Sequence, residues 1–111
     1  MEILFTSPKM AKLCSSQKEM RAKLGTRGAD KLQERLAQLA AAASLEDMKF
    51  FPAARCHELA QNRAGQIAVD LVHPYRLIFE PAHEPLPEKP SGGLDRSKVT
   101  RIIILEITDY H

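Results

Sequence analysis

The stretch from Gln66 to Glu80, QIAVDLVHPYRLIFE, constrains the fold of this chain more than any other. Ile67, Val69 and Leu71 alternate with Gln66, Ala68 and Asp70, and Leu77 and Phe79 alternate with Arg76, Ile78 and Glu80. A two-residue apolar period belongs to a strand with one buried face. Gly65 stands before the first run and His73-Pro74 divides the two, so the pair reads as neighbouring antiparallel strands joined by a turn. Such a sheet needs a second layer to bury its apolar side.

The first half supplies that layer. EILFT, near the start, reads as a short strand, and Ser7-Pro8 as a helix cap with proline in the first turn. SQKE (Ser16 to Glu19) has capping-box spacing, and Gly25 is a natural stop for the helix it opens. A longer helix is expected from Thr26 to Ala43, with Leu32, Leu36, Leu39 and Ala43 on one face and Lys31, Glu34, Arg35 and Gln38 elsewhere. SLED repeats the capping spacing before a short helical turn that FFP ends. RCHELA reads as the strand that precedes the central pair. Residues 81–98 hold the prolines and glycines of a loop, expected to be extended and mobile. VTRIIILEIT, dense in apolar residues, is the last strand. The expected fold class is α+β: an N-terminal strand and helical hairpin packed on a mainly antiparallel sheet, in a single domain spanning residues 1–111.

Charge narrows the class of partner. Residues 1–40 carry eight Lys or Arg against four acids, while the remainder carries eight against ten. Lys12, Arg21 and Arg27 belong to this basic half, which would attract a phosphate-rich surface; the plainer reading is a set of solvated helix faces. No apolar run approaches the ~20 residues of a membrane span, and the opening residues lack the basic region of a signal peptide. Cys14 and Cys56, without metal-like spacing, read as free thiols in a reducing cytoplasm. No metal cluster, glycine-rich phosphate loop or serine triad is present as a motif.

Alternation also assigns the chemistry to a face. With Leu77 and Phe79 under the helices, Arg76 points the other way, and on the last strand Glu106, Thr108 and Tyr110 share a face opposite Ile103, Leu105 and Ile107. Arg76, Tyr110, His111 and, if its parity allows, His57 would then gather on the open side. Arginine offers a planar fork to phosphate oxygens, and histidine moves protons near neutral pH. Each has a plainer reading. Arg76 could pair with Glu80, Asp70 or Glu106, His57 could be structural, and Tyr110 could cap the core edge.

The run RCHELAQNRAGQIAVDLVHPYRLIFEP, followed by a terminal Asp109-Tyr110-His111, resembles the RelE superfamily of bacterial toxins, most of all its HigB-type "killer protein" branch. The resemblance covers essentially the whole chain. It implies a toxin of a type II toxin–antitoxin system, of the kind tied to plasmid maintenance: a ribosome-dependent endoribonuclease that cuts translated mRNA. The implied partners are the ribosome, mRNA and a cognate antitoxin, a small helix-turn-helix DNA-binding protein; no metal or cofactor is implied. Carried over by residue, Arg76 holds the scissile phosphate, Tyr110 and His111 stack on a base and transfer protons with Asp109 beside them, and His57 sits where relatives place a histidine. Relatives often carry a lysine just after that strand. Here Ala60, Gln61 and Asn62 stand in the region, and Arg63 is the nearest cation. The implied reaction is attack of a ribose 2′-hydroxyl on its own phosphate. Two other classes stay open: a non-catalytic RNA- or protein-binding module of the same fold, and a purely structural interaction protein.

Overall fold

The computed structural model of the chain describes residues 1–109. It is an α+β fold, as the alternation and capping signals lead one to expect. Strands β1 (Glu2–Phe5), β2 (His57–Glu58), β3 (Ile67–Asp70), β4 (Tyr75–Pro81) and β5 (Arg101–Asp109) form one sheet in the order β1-β5-β4-β3-β2. β1 runs parallel to β5, and every other pairing is antiparallel. Helices α1 (Pro8–Ser15) and α2 (Gln17–Ala41) pack on one side.

Local chemistry places the helix ends. The Ser7 hydroxyl accepts from the Met10 amide at 3.1 Å with Pro8 in the first turn, and the Ser16 hydroxyl accepts from the Glu19 amide at 3.3 Å. Each cap satisfies one of the amide donors that a helix start leaves without a partner. α2 is broken at Gly25, whose φ of 75° and ψ of 175° are non-helical. A side chain would be strained at that position. Gly28 has a different reason to be glycine: a Cβ there would lie 2.6 Å from the Leu24 Cβ across the break. The helix ends at Ala41, two residues short of the expected Ala43, and Ala42 rather than Ala43 reaches the core.

The core lies between α2 and the sheet. Ala29, Leu32 and Leu39 meet Ile67, Val69, Leu77, Phe79, Ile102 and Ile104, all essentially inaccessible. Leu45 and Met48, on a short 3-10 turn after α2, close the same core. Burying each large side chain contributes roughly 1.5–3 kcal/mol.

β5 departs from plain alternation. Ile78 pairs with Glu106 but Phe79 pairs with Ile104, so Leu105 is an extra residue, a β-bulge. The bulge reverses the parity of the strand's first half. Ile102 and Ile104 face the helices, whereas Ile103 and Leu105 had been expected there. Beyond it, Ile107 pairs with Leu77 on the core side, and Glu106 and Thr108 lie opposite Ile78 and Arg76, as expected.

The proline-rich segment is more organised than an extended loop. Its first residue, Pro81, belongs to β4 and pairs with Ile102. Glu88 and Leu94 form an isolated bridge, the Thr100 amide donates to His83 Nε2 at 3.1 Å, and Arg96 pairs with Glu58 at 3.1 Å. No helix among the described residues is long and apolar enough to cross a membrane.

Candidate functional site

The sheet face away from the helices collects the candidate residues. Register fixes this: His57 stands opposite Ala68, Ala68 opposite Ile78, and Ile78 opposite Glu106; in the next row Asp70, Arg76 and Thr108 stand side by side. Directly opposed residues share a face, and so do residues two apart. The ambiguity over His57 is thereby resolved, and it lies on the Arg76 side. Strand spacing puts the His57 and Arg76 Cα atoms about 12 Å apart, within joint reach of a bound nucleotide.

Arg76 Nε lies 3.4 Å from Asp70 Oδ1, so of the three carboxylates weighed as partners it is Asp70 that pairs with it. Arg55 NH1 approaches the other oxygen of the same carboxylate at 3.5 Å. Arg55, Asp70, His73 and Arg76 line a small cavity of about 100 Å³ at the turn between β3 and β4. Arg55 sits in the left-handed region (φ 48°, ψ 50°), which few non-glycine residues occupy. The expected strand from Arg55 therefore begins only at His57.

A buried arginine holds these segments together. Arg35 is only 4% exposed. Its Nε donates to the Asp70 carbonyl at 2.7 Å and its NH2 to the Ala53 carbonyl at 3.2 Å, while NH1 donates to Glu34 and Gln38. One guanidinium thus fixes the end of β3 and the turn that carries Arg55. Assigning Arg35 to the polar side of the helix is corrected here, for it lies three residues after Leu32 and four before Leu39, on their stripe.

The His57 Nδ1 lies 2.6 Å from the Arg55 carbonyl. A carbonyl only accepts, so Nδ1 carries the proton and Nε2 of the neutral ring is the acceptor. Such an imidazole is set up to take a proton through Nε2. Arg63 donates to Gln66 at 2.9 Å and to Glu106 at 3.0 Å, joining the β3 side to β5 across β4. Beneath this row Ala68 and Ile78 are inaccessible although they face away from the helices.

The remaining described candidates lie away from this group. Asp109 stands opposite Tyr75, in the parity of Ile107, so register does not bring it to the Arg76 face. Tyr110 and His111 lie outside the described residues. Lys12 and Arg21 are exposed on the helical layer, Lys12 against Glu19 at 3.4 Å and Arg21 on Gln17 at 3.3 Å. Arg27 lines a surface cavity that reaches Val72 in the β3–β4 turn. Arg55 and Arg35 were not singled out from sequence. Nothing local marks Arg55, since its backbone conformation is one usually signalled by glycine or asparagine, but the helical spacing of Arg35 did carry a signal. Burial pushes the Cys14 and Cys56 thiols up to about 11, so neither is a ready nucleophile at neutral pH.

No family model and no curated protein matches the sequence. Among solved structures, a YoeB/ParE toxin from Agrobacterium tumefaciens is similar over the whole length of both chains, with a TM-score of 0.50 and 12% identity. At that identity the likeness is one of fold: the strand, paired helices and mixed five-stranded sheet form a toxin fold of the YoeB/ParE kind.

Proposed function

We propose that the chain is the toxin of a toxin–antitoxin pair and acts as an endoribonuclease on translated mRNA. The observation that carries this reading is the grouping of Arg76, Arg55 and His57 on one sheet face of a toxin fold. Arg76 would hold the non-bridging oxygens of the scissile phosphate while charge builds on them. His57, with Nδ1 tied to a carbonyl, would take or return a proton through Nε2. Tyr110 would stack on a base, an interaction worth about 1–3 kcal/mol, and His111 would share the proton transfers. Asp109 is assigned a supporting role at the strand end. Lys12, Arg21 and Arg27 would steer the protein toward the ribosome.

The finer placement in the HigB-type branch and a helix-turn-helix antitoxin rest on the sequence resemblance, the single domain over residues 1–111 on chain length and element order, and a cytoplasmic location on the two free thiols. A second reading, a binding module without cleavage, draws on the carboxylates that engage the key cations: Asp70 on Arg76 and Glu106 on Arg63. A translation reaction programmed with one defined mRNA separates the two. A nuclease leaves discrete new ends bearing 5′-hydroxyl groups within the translated region. Message that stays intact while translation stops would establish the binder instead.

A further inference from the structure

We infer that Arg55 and Arg76 form a two-arginine clamp for one RNA phosphodiester, and that Asp70 occupies the place of that anion in the free protein. The inference rests on the nuclease reading for the identity of the ligand and adds to it a second phosphate ligand and an internal competitor.

The geometry is that of one anion shared by two cations. The two Asp70 oxygens face different guanidiniums, at 3.4 Å from Arg76 Nε and 3.5 Å from Arg55 NH1. Close charge-assisted contacts run at about 2.7–2.9 Å, so both are long. Oδ1 is buried, yet among the described residues it accepts no hydrogen bond, although Arg76 Nε lies 3.4 Å away. A buried carboxylate oxygen without a donor is costly. The carboxylate is thus a poor fit for the space between the guanidiniums, and a tetrahedral phosphate, with more oxygens to share, suits it better.

The Arg55 arm and the Asp70 backbone are held in advance. Arg35, buried, binds the carbonyl of Asp70 and that of Ala53, two residues before Arg55. The left-handed backbone of Arg55 is a strained conformation kept by its surroundings, of the sort that collects at functional positions. The Arg55 side chain is 63% exposed, so it can meet a ligand entering from solvent. His73 completes the rim of the cavity they share.

The test is binding of a single-stranded RNA oligonucleotide made uncleavable by 2′-O-methyl groups, measured across a salt series, with inorganic phosphate as a second probe. Arg55→Ala should weaken oligonucleotide binding by about 10-fold, as expected for loss of a charge-assisted hydrogen bond. It should also reduce the salt slope by about 0.7, the share of one single-strand phosphate contact. Asp70→Asn should tighten binding by removing the competing charge, and Arg55→Lys should restore only part of the loss. Tightening toward the oligonucleotide but not toward inorganic phosphate identifies a backbone phosphodiester; tightening toward both identifies the phosphate group alone as the recognised unit, with the clamp intact. Unchanged affinity and slope in Arg55→Ala, weaker binding in folded Asp70→Asn, or a wild-type protein that binds neither probe would each overturn the clamp. Because nothing is cut in this assay, a clamp that binds in a protein that never cleaves mRNA would count against the nuclease reading alone.

Discussion

The two faces of the sheet are built from the same strands and obey different physics. On β4, Leu77 and Phe79 turn toward the helices and are inaccessible; their neighbours Arg76 and Glu80 turn the other way and stay partly exposed. The helix side is stabilised by removing apolar surface from water, which tolerates no gap and no polar group without a partner. The open side holds charges in fixed places: Asp70 between Arg55 and Arg76, and Glu106 under Arg63. The division is not complete. Ala68 and Ile78 are buried on the open side, and Arg35 is buried on the helix side. These exceptions link the faces, since Arg35 anchors from the core the backbone of Asp70 and the turn that presents Arg55.

The comparison breaks most severely if the parity of β5 is disturbed. Inserting one alanine between Glu106 and Ile107 would put the last residues of the strand out of step with the rest. Either Ile107 would leave the core or Glu106 would turn into it. A loss on the order of 4–5 kcal/mol or more is expected by urea unfolding, in the range that marks exceptional damage. A near-normal midpoint would show that the core does not fix the parity of β5.

Within the core, Phe79→Ala should cost about 3–5 kcal/mol through lost burial and the cavity left behind. If the melting curve barely moves, Phe79 is not the centre of the packing. Arg35→Met keeps the volume but strips the donors from two carbonyls, and about 2–3 kcal/mol should be lost. A neutral result would mean that water replaces the guanidinium and that Arg35 does not tie the faces together.

How much of this was legible in sequence follows the same division. The strands around Gln66–Glu80, the Ser7 and Ser16 caps and the break at Gly25 were readable, because each depends on local chemistry at fixed spacing. Leu105 was not, since a bulge adds one apolar residue to an apolar run and leaves the pattern plausible in either parity. Arg76 could be placed on the open face from alternation alone. Its partner could not be chosen among Glu80, Asp70 and Glu106, because cross-strand register is a tertiary fact. Arg55 was hidden by a left-handed turn formed without glycine. Arg35 was misassigned because its charge was given more weight than its position between Leu32 and Leu39.

The smallest effect on stability belongs to the open face itself. Glu106→Ala removes the carboxylate under Arg63 and should cost less than about 1 kcal/mol, as partly exposed ion pairs do. A cost above about 2 kcal/mol would show that the Arg63 bridge is part of the folding core, and the contrast between the faces would weaken.

The most direct test of the account is single-turnover cutting of mRNA on programmed ribosomes by Arg76→Ala, with ribosome binding and thermal melting followed on the same protein. On the proposed reading Arg76 holds the phosphate as charge develops, and losing one such donor typically costs about 10²–10³ in rate, or roughly 2.7–4 kcal/mol. The predicted result is a folded, ribosome-binding protein whose cutting is slower by that factor and only partly restored in Arg76→Lys. A folded Arg76→Ala protein that cuts at the wild-type rate would contradict the assignment of the chemistry to this face.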